Sequence, residues 1–171
     1  MPSQDNPIFR LLEDQARLRP EKLGWRCGEY TATFTQMLSS VCRVGSLLND
    51  MGVAPGDRVL LALPDGLAWV TAFLGCVHYG AIPVSANTLL KKQDFSFILD
   101  NSQATAMFTT TSIEAAGCAS PYLRATLLTD DADRRPARGA PALANRAPLP
   151  GRRRGLHQLH LRHHRPSQGR A

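Results

Sequence analysis

Four of the five histidines of this 171-residue chain stand close together near its C-terminal end, at His157, His160, His163 and His164, among arginines. The pattern HxxHxxHH could gather zinc or nickel, because neutral imidazole is a good ligand for both. The arginines beside it could hold phosphates without sequence preference. Either role needs a structured context, and GLHQLHLRHHRPSQGRA has no apolar periodicity from which to build one. The fifth histidine, His78, lies in CVHYG at the end of an apolar run. It reads as a packed or capping residue rather than a base, because no acid, cysteine or second histidine sits at useful spacing. Cys27, Cys42, Cys76 and Cys118 form neither a CxxC pair nor a ligand spacing, and they read as small buried residues. Asp57, Asp65, Asp94 and Asp100 fall at turns and helix ends, where Asp bonds to nearby backbone. Trp25 and Trp69 read as core or interface bulk. No GxGxxG and no Walker loop is present. No residue is therefore assigned a catalytic, cofactor-binding or metal-binding role.

The net charge of +6 looks like a nucleic-acid signal, but it is unevenly spread. Residues 1–130 hold ten Lys/Arg and twelve Asp/Glu, a balance of −2, and residues 131–171 hold ten Arg and two Asp, a balance of +8. That last stretch has no Lys, no aromatic residue and no Ile or Val. A near-neutral body with an abruptly basic tail predicts no specific nucleic-acid partner and a boundary near residue 130. No apolar run approaches the roughly 20 residues of a membrane-spanning helix. MPSQDNP lacks the basic and apolar regions of a secretion signal, so the expected location is the cytoplasm.

The elements that would have to position any site are legible in the body. Asn6-Pro7 is a helix start, and Ile8, Leu11, Leu12 and Ala16 recur at helical spacing up to Arg19-Pro20. LGWRC and YTATF flank Gly28-Glu29, as in a hairpin. Met37, Val41, Val44, Leu48 and Met51 form the stripe of a second helix, closed by Gly52. Val59 to Leu63 is a continuous apolar strand, of the kind covered on both faces. Leu67 to Tyr79 is apolar nearly all round, as a buried crossover helix would be, and AIPVSA follows as a strand. Lys92 to Asn101 is a helix with Phe95, Ile98 and Leu99 on one face. ATAMFTT is a strand, Ile113 to Ala119 a weaker helix and ATLLT a last strand. Alternating strands and helices predict an α/β layered fold with a largely parallel sheet.

The body resembles the start of the AMP-forming acyl- and aryl-CoA ligases. The resemblance is carried by Phe34 to Leu38, by GDRVLLALPDG with AFLG after it, and by GAIPVSANTLL followed by LDNSQA. Asn87 to Phe95 is most similar to the benzoate-CoA ligase branch. The likeness covers roughly residues 5–130 and implies a larger α/β domain of which this is the incomplete N-terminal portion. It implies ATP, Mg²⁺ and CoA as cofactors of the intact enzyme and a small carboxylic acid, aromatic or fatty, as substrate. Such an enzyme must hold a triphosphate and neutralise charge as pyrophosphate leaves. In the family that task falls to a Ser/Thr/Gly-rich loop ending in lysine, of the form YTSGTTGxPKG, due soon after residue 150.

The loop is absent as protein, yet the tail is compatible with it one base out of step. With permitted codons, Gly155 to Gly169 reads in the shifted frame as Ala-Phe-Ile-Asn-Tyr-Thr-Ser-Gly-Thr-Thr-Gly-Pro-Pro-Lys-Gly. Observed residues largely dictate two bases of each shifted codon, so an unrelated tail would fail within a few residues. The preceding Gly-Arg-Arg-Arg permits Asp-Asp-Val-Ala. The expected organisation is thus a partial ligase subdomain over 1–130, an Ala/Pro/Arg-rich linker over 131–150, and an out-of-frame, structureless tail over 151–171. The linker is compatible with either frame. On this reading the chain is a truncated ligase and is inactive alone. The alternative is a small α/β binding module with a metal- or phosphate-binding tail. Sequencing the DNA across codons 130–171 separates them: the shifted frame should encode the Thr-Ser-Gly-Thr-Thr-Gly run and its lysine, and a DNA that lacks it overturns the frameshift.

Overall fold

The computed structural model describes residues 6–28 and 30–129. Helix α1 spans Pro7–Leu18, strands β1 (Leu23–Cys27) and β2 (Tyr30–Thr33) follow, and helix α2 spans Phe34–Asp50. Strand β3 (Arg58–Ala62), helix α3 (Leu67–Tyr79), strand β4 (Ile82–Ser85), helix α4 (Lys92–Ser102) and strand β5 (Ala106–Thr110) alternate regularly. A short 3₁₀ turn, Glu114–Gly117, leads to strand β6 (Ala125–Thr129). The expected linker and tail lie outside the described residues.

Local chemistry explains most boundaries. The Asn6 side chain accepts from the backbone N–H of Ile8 and Phe9, with Pro7 at the first helical position. Thr33 and Gln36 form a reciprocal capping box that starts α2. Gly52 at φ +73° and Gly80 at φ +90° take the left-handed conformation just after α2 and α3. β1 and β2 pair antiparallel, with Cys27 opposite Tyr30 across the turn at Gly28. The weaker helix expected over Ile113 to Ala119 is only the 3₁₀ turn, because Gly117 and a short, poorly periodic run cannot sustain an α-helix.

The main sheet is fully parallel, in the order β4-β3-β5-β6. Leu60 sits between Val84 on one side and Met107 on the other. The step from β3 to β4 runs one way and the step from β4 to β5 runs back past β3. Right-handed crossovers therefore place α3 and α4 on opposite faces. The core shows this: Val59, Leu61, Ala106 and Phe108 pack with Val44, Leu48, Ala72 and Cys76 of α2 and α3, whereas Leu60, Ala62 and Met107 pack with Phe95 and Leu99 of α4. Each fully buried Leu or Phe contributes about 1.5–3 kcal/mol. The layered α/β fold expected from the sequence is the one observed.

Two helix contacts hold the α1–α2–α3 face. At the first, α3 crosses α2 so closely that a Cβ on Gly75 would fall inside the van der Waals radius of Val44 Cβ and Cγ1, with the Val41 carbonyl oxygen 3.3 Å away. At the second, Phe9 of α1 stacks on His78 of α3, with ring centroids 3.8 Å apart and planes at 25°. This contact rotates α1 relative to the expected stripe. Phe9, Leu12 and Ala16 are buried, while Ile8 and Leu11 are 52% and 62% exposed. The sequence stripe placed Ile8 and Leu11 inward because it counted aliphatic residues and gave the aromatic ring no weight. They instead line an open apolar groove of about 350 Å³ with Leu12, Gln15, Phe34 and Leu74.

Among the described residues His78 Nδ1 is buried with no hydrogen-bond partner. Desolvation pushes its pKa below the ordinary imidazole value, and the Glu13 carboxylate opposes part of that shift. A base with a lowered folded pKa stabilises the fold fully above its unfolded pKa of about 6.5 and progressively less as pH falls below it. Unfolding midpoints followed by tryptophan fluorescence should therefore drop between pH 7 and pH 5, and His78→Phe should flatten that slope. Gly75→Ala should lower the midpoint at every pH. Its overpacking costs about 1–3 kcal/mol, which exceeds the roughly 1 kcal/mol gained by removing glycine from a helix interior.

Candidate functional site

The candidate site lies where parallel sheets bind ligands, outside the carboxyl ends of the strands at the point where successive connections diverge. Here β3 and β5 are neighbours. The chain leaves β3 toward β4 and leaves β5 toward β6, so the crevice between their ends is the switch point. Leu63, Pro64, Asp65 and Gly66 follow β3, and Thr111, Ser112 and Ile113 follow β5. Gly66 is the N-cap of α3 and provides no side-chain cap, so the helix starts just after β3 without one.

Hydroxyl groups line this end of the sheet. Thr109, Thr110 and Thr129 are buried. The hydroxyls of Thr110 and Ser112 lie 3.1 Å apart. Thr129 Oγ1 donates to the Thr109 carbonyl at 3.4 Å, and Thr109 Oγ1 to the Thr110 carbonyl at 3.5 Å. Hydroxyls and helix N–H groups can donate to an anionic oxygen. They cannot activate a nucleophile without a base, and among the described residues no histidine or carboxylate bonds to Thr109, Thr110 or Thr129. The sequence reading took this Thr/Ser run only as strand, since β-branched residues suit a strand equally well. What distinguishes it is its position after an apolar strand, at the carboxyl end.

The residues singled out in the sequence do not converge. His78 sits on the α1–α3 contact, away from the crevice. Asp57 Oδ2 accepts from the Ala54 N–H at 3.0 Å and from Thr105 Oγ1 at 3.2 Å, at the amino end of β3. Asp94 accepts from the Lys91 N–H at 3.1 Å as the cap of α4. Asp100 departs from the expected backbone role and accepts from Ser120 Oγ at 2.7 Å. Asp65 is exposed beside Gly66. Cys76 and Cys118 are buried, as read, and burial pushes the Cys76 thiol up to about 12. Cys27 and Cys42 are exposed, against the expectation of burial. Cys27 lies on a two-stranded hairpin and Cys42 on an exposed side of α2. Trp25 and Trp69 are partly buried, and Trp69 stacks on Phe73 at 5.2 Å. Among the described residues there is no group of three or more His, Cys, Asp or Glu that could hold a metal ion. The histidines of the tail lie outside the described residues.

Known proteins share this fold over most of the chain. A benzoate CoA ligase from Burkholderia xenovorans LB400 superposes with a TM-score of 0.62 at 28% identity, over 71% of this chain and 25% of that one. An anthranilate CoA ligase in complex with anthranoyl-AMP superposes with a TM-score of 0.66 at 30% identity, over 75% and 27%. In sequence, the benzoate–CoA ligase of Thauera aromatica is 38% identical over 78 residues, 45% of this chain and 14% of that protein. A long-chain-fatty-acid–AMP ligase of Mycobacterium marinum is 34% identical over 125 residues, 66% of this chain and 21% of that protein. The chain thus spans about a fifth or less of these two relatives. The profile of the AMP-binding enzyme family matches residues 12–160, and the chain belongs to that family.

Proposed function

We propose that this chain is the N-terminal part of a ligase that activates an aromatic carboxylic acid. A carboxylate oxygen attacks the α-phosphorus of ATP, pyrophosphate leaves and an acyl-adenylate forms. The sulfur of CoA then attacks the acyl carbon, and AMP departs. The observation that carries the reading is the family match over residues 12–160, on a parallel sheet that superposes on an enzyme holding anthranoyl-AMP. The aromatic choice is supported by the 38% identity to a benzoate–CoA ligase. The reading places the protein in the cytoplasm, with no nucleic-acid partner. Among the described residues, no helix is long and apolar enough to cross a membrane.

The same proposal holds the 171-residue chain inactive by itself. Adenylation requires donors that follow the charge onto leaving pyrophosphate, and a preorganised donor of this kind is worth about 2.7–4 kcal/mol. The described hydroxyls can meet an oxyanion, but the lysine-bearing loop that would complete them is read from the tail only one base out of step. The test is AMP release with ATP, Mg²⁺, CoA and either benzoate or a long-chain fatty acid. The chain should give no acid-dependent AMP, and the gene with its frame restored and extended should give it with benzoate. Release by the 171-residue chain overturns the inactivity, and preference for the fatty acid overturns the aromatic assignment.

A further inference from the structure

We propose that α1 is a pH-sensitive clasp, closed over α2 and α3 while His78 is neutral and released as a unit when His78 takes up a proton. This goes beyond a general loss of stability in acid, because it assigns the first opening to one helix and leaves the sheet intact.

α1 is placed so that it can leave without the rest. It gives no strand to either sheet. Phe9, Leu12 and Ala16 form its buried face. A hinge lies just behind it, because the chain after Leu18 is pinned to the start of α2. Thr35 donates its backbone N–H to the Pro20 carbonyl at 3.3 Å and its hydroxyl to the same oxygen at 3.0 Å. The Phe34 N–H donates to the Lys22 carbonyl at 3.1 Å. α1 can therefore undock up to Arg19 while the hairpin and α2 stay in register. A segment with few buried residues opens at lower free energy than a core strand. Its release uncovers Met37 and Val41 of α2, in the cluster that also holds Trp25 and Leu74.

The His78 ring is where the clasp closes. Phe9 covers one face of it, with ring centroids 3.8 Å apart. On the α2 side, a Cβ on Gly45 would stand 3.4 Å from Cδ2 and 4.0 Å from Nε2. A neutral imidazole can carry its hydrogen on Nε2 and leave Nδ1 bare. Nδ1 is buried and has no hydrogen-bond partner among the described residues. A second proton would land on that atom, with no acceptor and little water. The Phe9 ring face and the Glu13 carboxylate, one turn further along α1, attract an imidazolium. Desolvation outweighs the Glu13 attraction, and the pKa lies below the ordinary value. On α2 the titratable group close to Glu13 is the Cys42 thiol, which burial first and Glu13 second push upward, so it stays neutral. Arg17 pairs with Asp14 on α1 itself, Arg43 of α2 donates to Ser39, and Tyr79 of α3 donates to the Val53 carbonyl. Lifting α1 removes the Phe9 cover and returns water to the ring, so the open form holds the proton more tightly. Opening is then rarest above about pH 6.5, the free imidazole value, and grows as pH falls below it.

Native-state amide exchange on the 171-residue chain tests this, read as protection factors at pH 7.5 and pH 5 over a range of low denaturant. The α1 amides of residues 12–18 should open with a smaller denaturant dependence than the β3 amides at both pH values, since less surface is exposed. Their protection should fall at least about threefold between pH 7.5 and pH 5. His78→Phe keeps a ring against Phe9 and cannot titrate, so its α1 protection should be the same at the two pH values. Glu13→Gln removes an attraction for the imidazolium and should steepen the fall. Protected β3 amides report that each variant is folded. α1 amides that share the denaturant dependence of β3 overturn the proposal, because the helix then opens only with the whole fold. A fall that survives in His78→Phe, or one that is shallower in Glu13→Gln, overturns it as well.

Discussion

Val59, Leu60, Leu61 and Ala62 of β3 are shut off from water on both faces, and the remaining architecture follows from that burial. A strand apolar on both sides must be covered on both sides, and its neighbours must be parallel strands joined by crossovers long enough to reach over the sheet. The order β4-β3-β5-β6 puts α2 and α3 on one face and α4 on the other. Reversing direction at β4 has a second effect. It makes the connections after β3 and β5 diverge at the carboxyl end of the sheet, the end that also carries the Thr110 and Ser112 hydroxyls.

The two helical layers achieve their cover differently. On one face α3 reaches α2 because Gly75 has no side chain where Val44 passes. That closeness lets Val44, Leu48, Ala72 and Cys76 share a single core with the sheet. α1 is added on top through Phe9 and His78, and leaves Ile8, Leu11 and Leu74 along an uncovered groove. On the other face α4 and the 3₁₀ turn are tied together, with Lys92 donating its backbone N–H to Glu114 at 2.6 Å and Lys91 Nζ 3.6 Å from the same carboxylate. The exposed Lys91 pair is worth little, since surface ion pairs contribute about 0–1 kcal/mol. Phe95 and Leu99 do the holding there, both fully buried.

Adenylate chemistry asks for donors that follow charge from a triphosphate onto pyrophosphate. At the carboxyl end of the sheet the described residues present hydroxyls. That placement suits a layered fold, in which a rigid sheet presents an edge and loops bring the charged groups to it. The relatives that match are roughly five to seven times as long as the stretch they share with this chain.

Much of the fold was legible because periodicity reports burial directly. The stripe Met37, Val41, Val44, Leu48 and Met51 is buried throughout, and the all-round apolar Leu67 to Tyr79 is the crossover helix. Glycines and caps ended elements within a residue or two. Reading failed where packing chose between equally apolar faces, as when a ring stacked on His78 turned α1 toward Phe9. It failed again for Cys27 and Cys42, whose exposure depends on which layers exist above them. By itself the sequence determined the class of fold, the element order and the family, since each is written in local spacing and motif. Only the tertiary structure decided that Thr109, Thr110, Ser112 and Thr129 share one end of one sheet, because strand order is set by crossovers that no local pattern records.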